Sequence, residues 1–313
     1  MFVFLARRLM SGFVLVAVVG SLTFVTMSLS GTDPVRNLLG ENATQEQVDA
    51  RAAQLGLDRP LPERYLDWAV SAVQGDLGTS WVNNASVSQV IGQRLPVSLS
   101  LVIASTLVTA LVSVALGIAA AVRKGFLDRL VQVLAVAGYA LPNFWVALVL
   151  VSFFAISLRL LPATGYTPLT TDPGKWALGL VLPVAALAIG TIASTTQQVR
   201  AATVDVLEHD FVRTLRSRGL PSRSIVGVHV LRNAAGPALT VLSLQFVALL
   251  AGTVVIERVF ALPGVGSMVV SSATAGDLPM VLGIVTVMVV VVVVVNLLVD
   301  VATGWLNPKV RAR

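Results

Sequence analysis

The chain contains no cysteine, which excludes a disulfide framework and a thiolate metal site. Charge is scarce. Asp, Glu, Lys and Arg make up 12% of the residues, where soluble domains carry roughly 25%, so an ordinary soluble fold is excluded. Disorder is excluded as well, because it requires low hydrophobicity and high charge, and 56% of this chain is hydrophobic. No G-x-x-x-x-G-K-[ST] segment occurs, so nothing cradles nucleotide phosphates in the P-loop manner. His209 and His229 stand twenty residues apart, without the carboxylate–His spacing of a hydrolytic metal site. The sequence offers no catalytic residue, no cofactor site and no metal centre.

What is there is apolar sequence in long blocks. A membrane-crossing helix needs about 20 mostly apolar residues. Six blocks qualify: Leu9–Ser30, Pro96–Val122, Leu130–Leu158, Trp176–Gln197, Pro237–Ile256 and Pro279–Trp305. Arg7 and Arg8 ahead of the first resemble the start of a cleavable signal peptide. The block's length and the absence of a clear A-x-A site favour a retained helix. No ionisable residue lies near the centre of any block. Intramembrane acids mark proton relays and ion-coupled pumps, so a proton-driven carrier is disfavoured and any energy source lies elsewhere.

The net charge of +6 does not point to nucleic acid, because the basic residues fall in short loops between apolar blocks, the pattern of membrane topology. Arg7 and Arg8, then Arg123, Lys124 and Arg129, then the segment 200–236 with six arginines, and finally Lys309, Arg311 and Arg313 all fall on one side. By the positive-inside rule that side is cytoplasmic, with both termini on it.

The expected organisation is an N-terminal segment with the first helix (1–30), an outer polar subdomain (31–95), a membrane domain (96–305) containing the cytoplasmic hairpin 200–236, and a short tail (306–313). In the outer subdomain, Thr44-Gln45-Glu46-Gln47 is a capping-box pattern that opens a helix toward Leu55, with Gly56 as its stop. Tyr65, Leu66, Ala69, Val70 and Val73 repeat at helical spacing. Gly75-Asp76-Leu77-Gly78 signals a turn. The subdomain reads either as a cap on the outer membrane face or as a docking surface. After the fifth block, Ser267 to Ala275 is too short to cross and reads as a re-entrant or interfacial element.

Inside the blocks, Pro142 beside Asn143, and Pro183 with Gly190, mark kinks or bend points. Gln245 is an uncharged polar group of the kind that bonds a neighbouring helix or touches solute. Glu257 opens the segment after the fifth block. Pro142, Asn143, Gln245 and Glu257 are the candidate hinge or path-lining residues.

The segment from Arg200 to Gly236 is the most informative. Ala201 to Ser217 reads as one helix, Gly219 takes the left-handed C-terminal conformation, and Pro221 opens a second helix from about Ser222 to Ala235. Asp210, Arg213, Thr214 and Ser217 share a face by their spacing, while Phe211, Leu215 and Leu220 supply apolar contacts at the corner. A helix with an apolar knob and an arginine rim suits a groove on a partner.

At these residues the chain resembles the ABC-importer permeases. Their cytoplasmic loop reads E-A-A, three residues, Gly, nine residues, I-x-L-P. Alignment on Gly219 places Arg213-Thr214-Leu215 at E-A-A and His229-Val230-Leu231-Arg232 at I-x-L-P, so the glycine, the leucine and the spacing survive. The peptide-importer variant, D/E-Y-V-R-T-A-R-A-K-G-L-S with a later R-H-x-L-R-N-A, is similar to Asp210–Leu220 and His229–Ala234. The segments from Leu55 to Gly78, Ala140 to Trp145, Glu257 to Gly266, Asn296 to Asp300 and Asn307 to Arg311 resemble the B-type subunit of the dipeptide/oligopeptide permease family, which also carries nickel and other small solutes.

The resemblance implies an all-α integral membrane protein with the type I ABC importer permease fold, in the bacterial cytoplasmic membrane. It implies a sister C-type permease subunit, two ABC ATPase subunits that hold ATP and Mg, and an external solute-binding protein. Asp210, Phe211, Arg213, Thr214, Leu215, Arg216, Gly219 and Leu220 would contact the ATPase. Rival classes are an ion-coupled carrier or channel, and a membrane scaffold or receptor.

Overall fold

The computed structural model describes residues 2–29, 34–40, 42–123 and 125–306. Ser30, Lys124 and the tail residues Asn307 to Arg313, all named from the sequence, lie outside the described residues, as does the side chain of Arg232.

The elements in chain order are α1 (Phe2–Ser28), α2 (Pro34–Leu39), α3 (Gln45–Gln54), α4 (Leu61–Val73), α5 (Val87–Val122), α6 (Phe126–Ala140), α7 (Asn143–Leu150) with a π-helical continuation (Val151–Ser157), α8 (Pro173–Glu208), α9 (Asp210–Ser217), α10 (Ser222–Ser224) with a π-helical turn (Ile225–Val230), α11 (Leu231–Val259), α12 (Val265–Ala275) and α13 (Leu278–Leu306). Among the described residues five helices are long and apolar enough to cross a membrane, or six when the bent pair α6 and α7 counts as one span.

Three expectations need correction. The third block is not one kinked helix: α6 stops at Ala140 and α7 starts at Asn143, with a 97° bend between the two arms. Pro142 removes a backbone donor and pushes Leu141 out of the helical region, and Leu141 indeed has ψ 124°. The second helix begins at Val87, nine residues before the apolar block at Pro96, because a single proline within it costs less than the burial of Val87 and Ile91 recovers. Ala201 to Ser217 is not one helix: extended backbone at His209 divides it between α8 and α9. The hairpin's first arm ends the 36-residue α8, and its second runs through the π turn into α11. The start of α8 is set by Asp172, whose carboxylate accepts from the Lys175 amide at 3.0 Å, followed by Pro173 at the first helical position.

The chain divides into two units, Met1–Val97 with Pro263–Val294, and Ser98–Leu262 with Val295–Arg313. The expected outer subdomain is thus part of a larger body. A short polar segment cannot bury enough surface alone, and here Leu77, Val87 and Ile91 share a core with Val265, Met280 and Ile284. In this first unit the Thr44 capping box forms, with Gln47 Oε1 accepting from the Thr44 amide at 3.0 Å. Gly56 has φ +66°. Asp277 is buried. Ser80 Oγ donates to it, as does the Trp81 amide at 3.1 Å, which pins the loop after Gly78 to the start of α13. A second cluster, Phe24 with Leu278 and Leu282, packs against Tyr65, Trp68 and Trp81.

In the second unit α8 packs on α6, α7 and α11. Ser98, Ser105, Thr109 and Ser113 on α5, and Thr191, Thr195, Thr196 and Thr203 on α8, are buried hydroxyls. Thr109 and Thr191 bond across the two helices at 2.9 Å. A Cβ on Gly117 would stand 2.8 Å from Val199 Cγ1 and 3.0 Å from the Arg200 nitrogen, so the glycine allows the close approach that small residues give to membrane helices.

Candidate functional site

The hairpin is built by a break, a short helix and a corner. At His209 the backbone turns extended (φ −65°, ψ 146°), ending α8 and opening α9. His209 Nδ1 lies 2.8 Å from the Asp205 carbonyl. Asp210 sits in the first turn of α9 and Arg216 in the last, each favourably placed against the helix dipole.

Gly219 closes the corner. Its φ is +77°, a left-handed value that costs any other L-residue roughly 1–2 kcal/mol. The Gly219 amide donates to the Arg216 carbonyl at 2.9 Å and the Leu220 amide to the Leu215 carbonyl at 3.3 Å. These are the two bonds of a Schellman motif. Pro221 (φ −66°) then starts α10.

The hairpin has its own small core of Val206, Val212, Ile225, Val230 and Ala234, with Leu215 and Leu220 packed against it. Leu215 and Leu220 thus face inward. Phe211 remains on the outer side, 37% exposed, its ring 6.0 Å from that of His209. Asp210 and Arg213 stand 3.6 Å apart on the exposed face, where such a pair contributes little. Thr214 and Ser217 donate to the carbonyls of Asp210 and Thr214. Arg216 lines a cavity of about 290 Å³ between the ends of α5 and α8 and the hairpin, together with Glu208. The sequence singled out eight coupling residues. The structure places all of them on α9 and its corner, but divides them into an inner pair and an outer set.

Sequence reasoning missed Val212, which is fully buried. Its spacing from Leu215 was the available signal. It also missed Asp128. This residue takes both donors of Arg200, Nε at 2.5 Å and Nη2 at 2.7 Å, and accepts from Gln132 Nε2 at 2.9 Å. The pair ties α6 to α8 just ahead of the hairpin.

The other candidates lie apart from the corner. Pro142 and Asn143 form the bend between α6 and α7. A Cβ on Gly190 would meet Asn143 Oδ1 at 3.2 Å, and one on Gly252 would meet Leu187 Cδ2 at 3.3 Å and Asn143 Nδ2 at 3.8 Å. The Asn143 amide is therefore flanked by glycines from α8 and α11. Gln245 Nε2 donates to Ser194 Oγ at 2.9 Å, a bond from α11 to α8. Glu257 is fully buried and accepts from Ser98 Oγ at 2.5 Å, while its carbonyl accepts from the Leu262 amide at 2.8 Å. Among the described residues no cluster of three or more His, Asp or Glu could hold a metal ion.

Residues 113–312 match the family described as binding-protein-dependent transport system inner membrane component, and residues 1–102 match its N-terminal counterpart. The chain belongs to this permease family. The permease is 34% identical over 310 residues to a probable peptide ABC transporter permease, y4tP, of Sinorhizobium fredii, with 99% of each chain covered. It is 34% identical to the di/tripeptide transport system permease protein DppB of Pseudomonas aeruginosa, over 98% of each. It is also 34% identical to the dipeptide transport system permease protein DppB of Bacillus subtilis, over 95% of this chain and 94% of that one. A solved structure of the MetNI methionine ABC transporter in inward-facing conformations superposes with a TM-score of 0.58 at 14% identity, covering 70% of this chain and 97% of the other. The fold is that of a type I ABC importer permease, and the permease is a multi-pass membrane protein.

Proposed function

We propose that this permease forms half of the translocation path for di- and oligopeptides. It couples that path to separate ATPase subunits through α9 and the Gly219 corner. The observation that carries the coupling role is the division of the hairpin: a fixed inner core and an outer face of Asp210, Phe211 and Arg213. A segment held this way meets a groove with a preset shape, which lowers the ordering cost of docking. The peptide assignment rests on the named relatives.

In this reading a sister C-type permease completes the path and an external binding protein delivers solute. The two ATPases bind and hydrolyse ATP with Mg, and this chain only transmits. The basic hairpin and both termini face the cytoplasm. Closure of the ATPase pair moves the corner and biases an equilibrium between inward-open and outward-open forms. Shifting that equilibrium from 1:99 to 99:1 takes about 5.5 kcal/mol of differential binding. Asn143, flanked by Gly190 and Gly252 at the bend, is the polar group best placed to adjust during that change.

The test is Gly219→Trp in the assembled transporter. No neighbouring atom lies within 4 Å of a Cβ built at Gly219, so the replacement acts on the corner's conformation and outer shape. The protein should insert normally, while ATPase co-purification or peptide-stimulated ATP hydrolysis falls. Unchanged assembly and uptake would refute the coupling role.

A further inference from the structure

The first unit holds a cleft of about 170 Å³ that the transport reading does not use. Its walls include Phe24 of α1, Leu282 of α13, Arg64 and Trp68 of α4, and Trp81 of the following loop. Phe24 lies four residues before Ser28, the last residue of α1, and Leu282 within the first turns of α13. The cleft therefore sits at the ends of two candidate membrane-crossing helices, the level at which tryptophan and tyrosine concentrate in membrane proteins. Tyr65 extends the same aromatic cluster, its ring 6.1 Å from that of Trp68, and its hydroxyl accepts from Ser21 Oγ at 2.8 Å.

Two polar groups in this aromatic setting lack an acceptor. The indole Nε1 of Trp68 is buried with no hydrogen-bond partner. Arg64 is half-buried, and burial alone lowers its pKa. Its nearest compensating contact is the face of the Phe24 ring, 5.9 Å away. The neighbouring cation, Arg59, has claimed the nearby acids: it contacts Asp67 at 2.7 Å and Glu63 at 3.5 Å. Arg64 thus presents an uncompensated guanidinium beside an orphan indole N–H. A half-buried cation and a buried donor each cost free energy until an oxygen anion accepts from them. Guanidinium pairs well with phosphate through two parallel bonds.

We propose that the cleft formed by Arg64, Trp68, Trp81 and Phe24 binds the phosphate of an anionic phospholipid headgroup. Headgroups lie at this depth, and the acyl chains would run along α1, whose Val18, Leu22 and Val25 are exposed.

The test is native mass spectrometry of the full chain released from nanodiscs holding equal phosphatidylglycerol and phosphatidylcholine. Arg64→Gln and Trp68→Phe are compared with Arg51→Gln, a control on α3 outside the cleft. The unaltered chain and the control should retain phosphatidylglycerol about tenfold over phosphatidylcholine, and Arg64→Gln should abolish that preference with its helical content unchanged. Trp68→Phe removes the N–H together with the five-membered half of the indole, so a partial loss of the preference is expected there from the missing donor and the missing ring area combined. Equal retention in all four chains would overturn the proposal. So would protection by inorganic phosphate alone without lipid retention, which would mark a site for a free anion. Stabilisation by an added peptide that Arg64→Gln removes would equally overturn it, assigning the cleft to solute.

Discussion

Arg200 holds both carboxylate oxygens of Asp128, joining the helix that enters the hairpin to the first arm of the broken span. The side chains are 26% and 14% exposed. The Arg213–Asp210 pair on the hairpin surface is 76% and 96% exposed. The first pair is sheltered enough to matter; the second belongs with surface pairs that contribute about 0–1 kcal/mol.

Asp128→Asn should therefore destabilise the protein by about 1–3 kcal/mol, because it leaves a sheltered guanidinium without its counter-charge. Adding Arg200→Gln should cost less than the sum of the two single changes. Thermal inactivation of the full chain in detergent measures all three. Additivity would show that the two residues act independently.

Val212 and Phe211 are neighbours in sequence with opposite roles. Val212→Ala should lower hairpin stability by about 1–3 kcal/mol, read as faster proteolysis within 201–236. Phe211→Ala should change stability by about 0.5 kcal/mol or less while reducing co-purification of the ATPase subunits. Equal loss of stability in both would contradict the assigned faces.

Gly190→Ala should place a methyl 3.2 Å from Asn143 Oδ1, a contact relieved by a shift of the amide. That crowding offsets the roughly 1 kcal/mol alanine gains over glycine in a helix, so the net change should be small. In an Asn143→Ala background the same change should be stabilising, because only the helix-propensity gain remains. Thermal inactivation gives the first comparison. Uptake by the assembled transporter shows whether the amide also serves transport.

Ala261 carries φ +51° after the end of α11, where the Leu262 amide reaches back to the Glu257 carbonyl. This is a glycine-type corner occupied by alanine. Ala261→Gly should raise stability by about 1 kcal/mol, the left-handed strain it removes less the entropy glycine adds. A lowered inactivation temperature would refute this.

The features legible in the sequence were those set by local chemistry. Thr44 and Gln47 form their capping box, Gly219 takes the left-handed corner, and Gln245 bonds a neighbouring helix, as its chemistry suggested. The features that escaped depend on partners distant in the chain. Val87 and Ile91 are helical because Val265 and Met280 cover them. Pro142 was read as a kink, yet its bend reaches 97° because two helices replace one. Nothing near Asp128 in the sequence announces Arg200. Leu215 and Leu220 looked like contact residues because an apolar side chain beside a turn reads the same whether it points toward a partner or toward Val212.

The Schellman corner and the five-residue core behind it have an evolutionary consequence. The residues that keep the hairpin folded are not those on its outer face, the face proposed to meet the ATPase, so the outward set can diverge while the scaffold stays intact. This separation puts Arg213 and Thr214 in the outward set and Leu215 in the packed one. It lets a permease and its motor co-adapt by trading surface side chains, each exchange leaving the architecture beneath untouched.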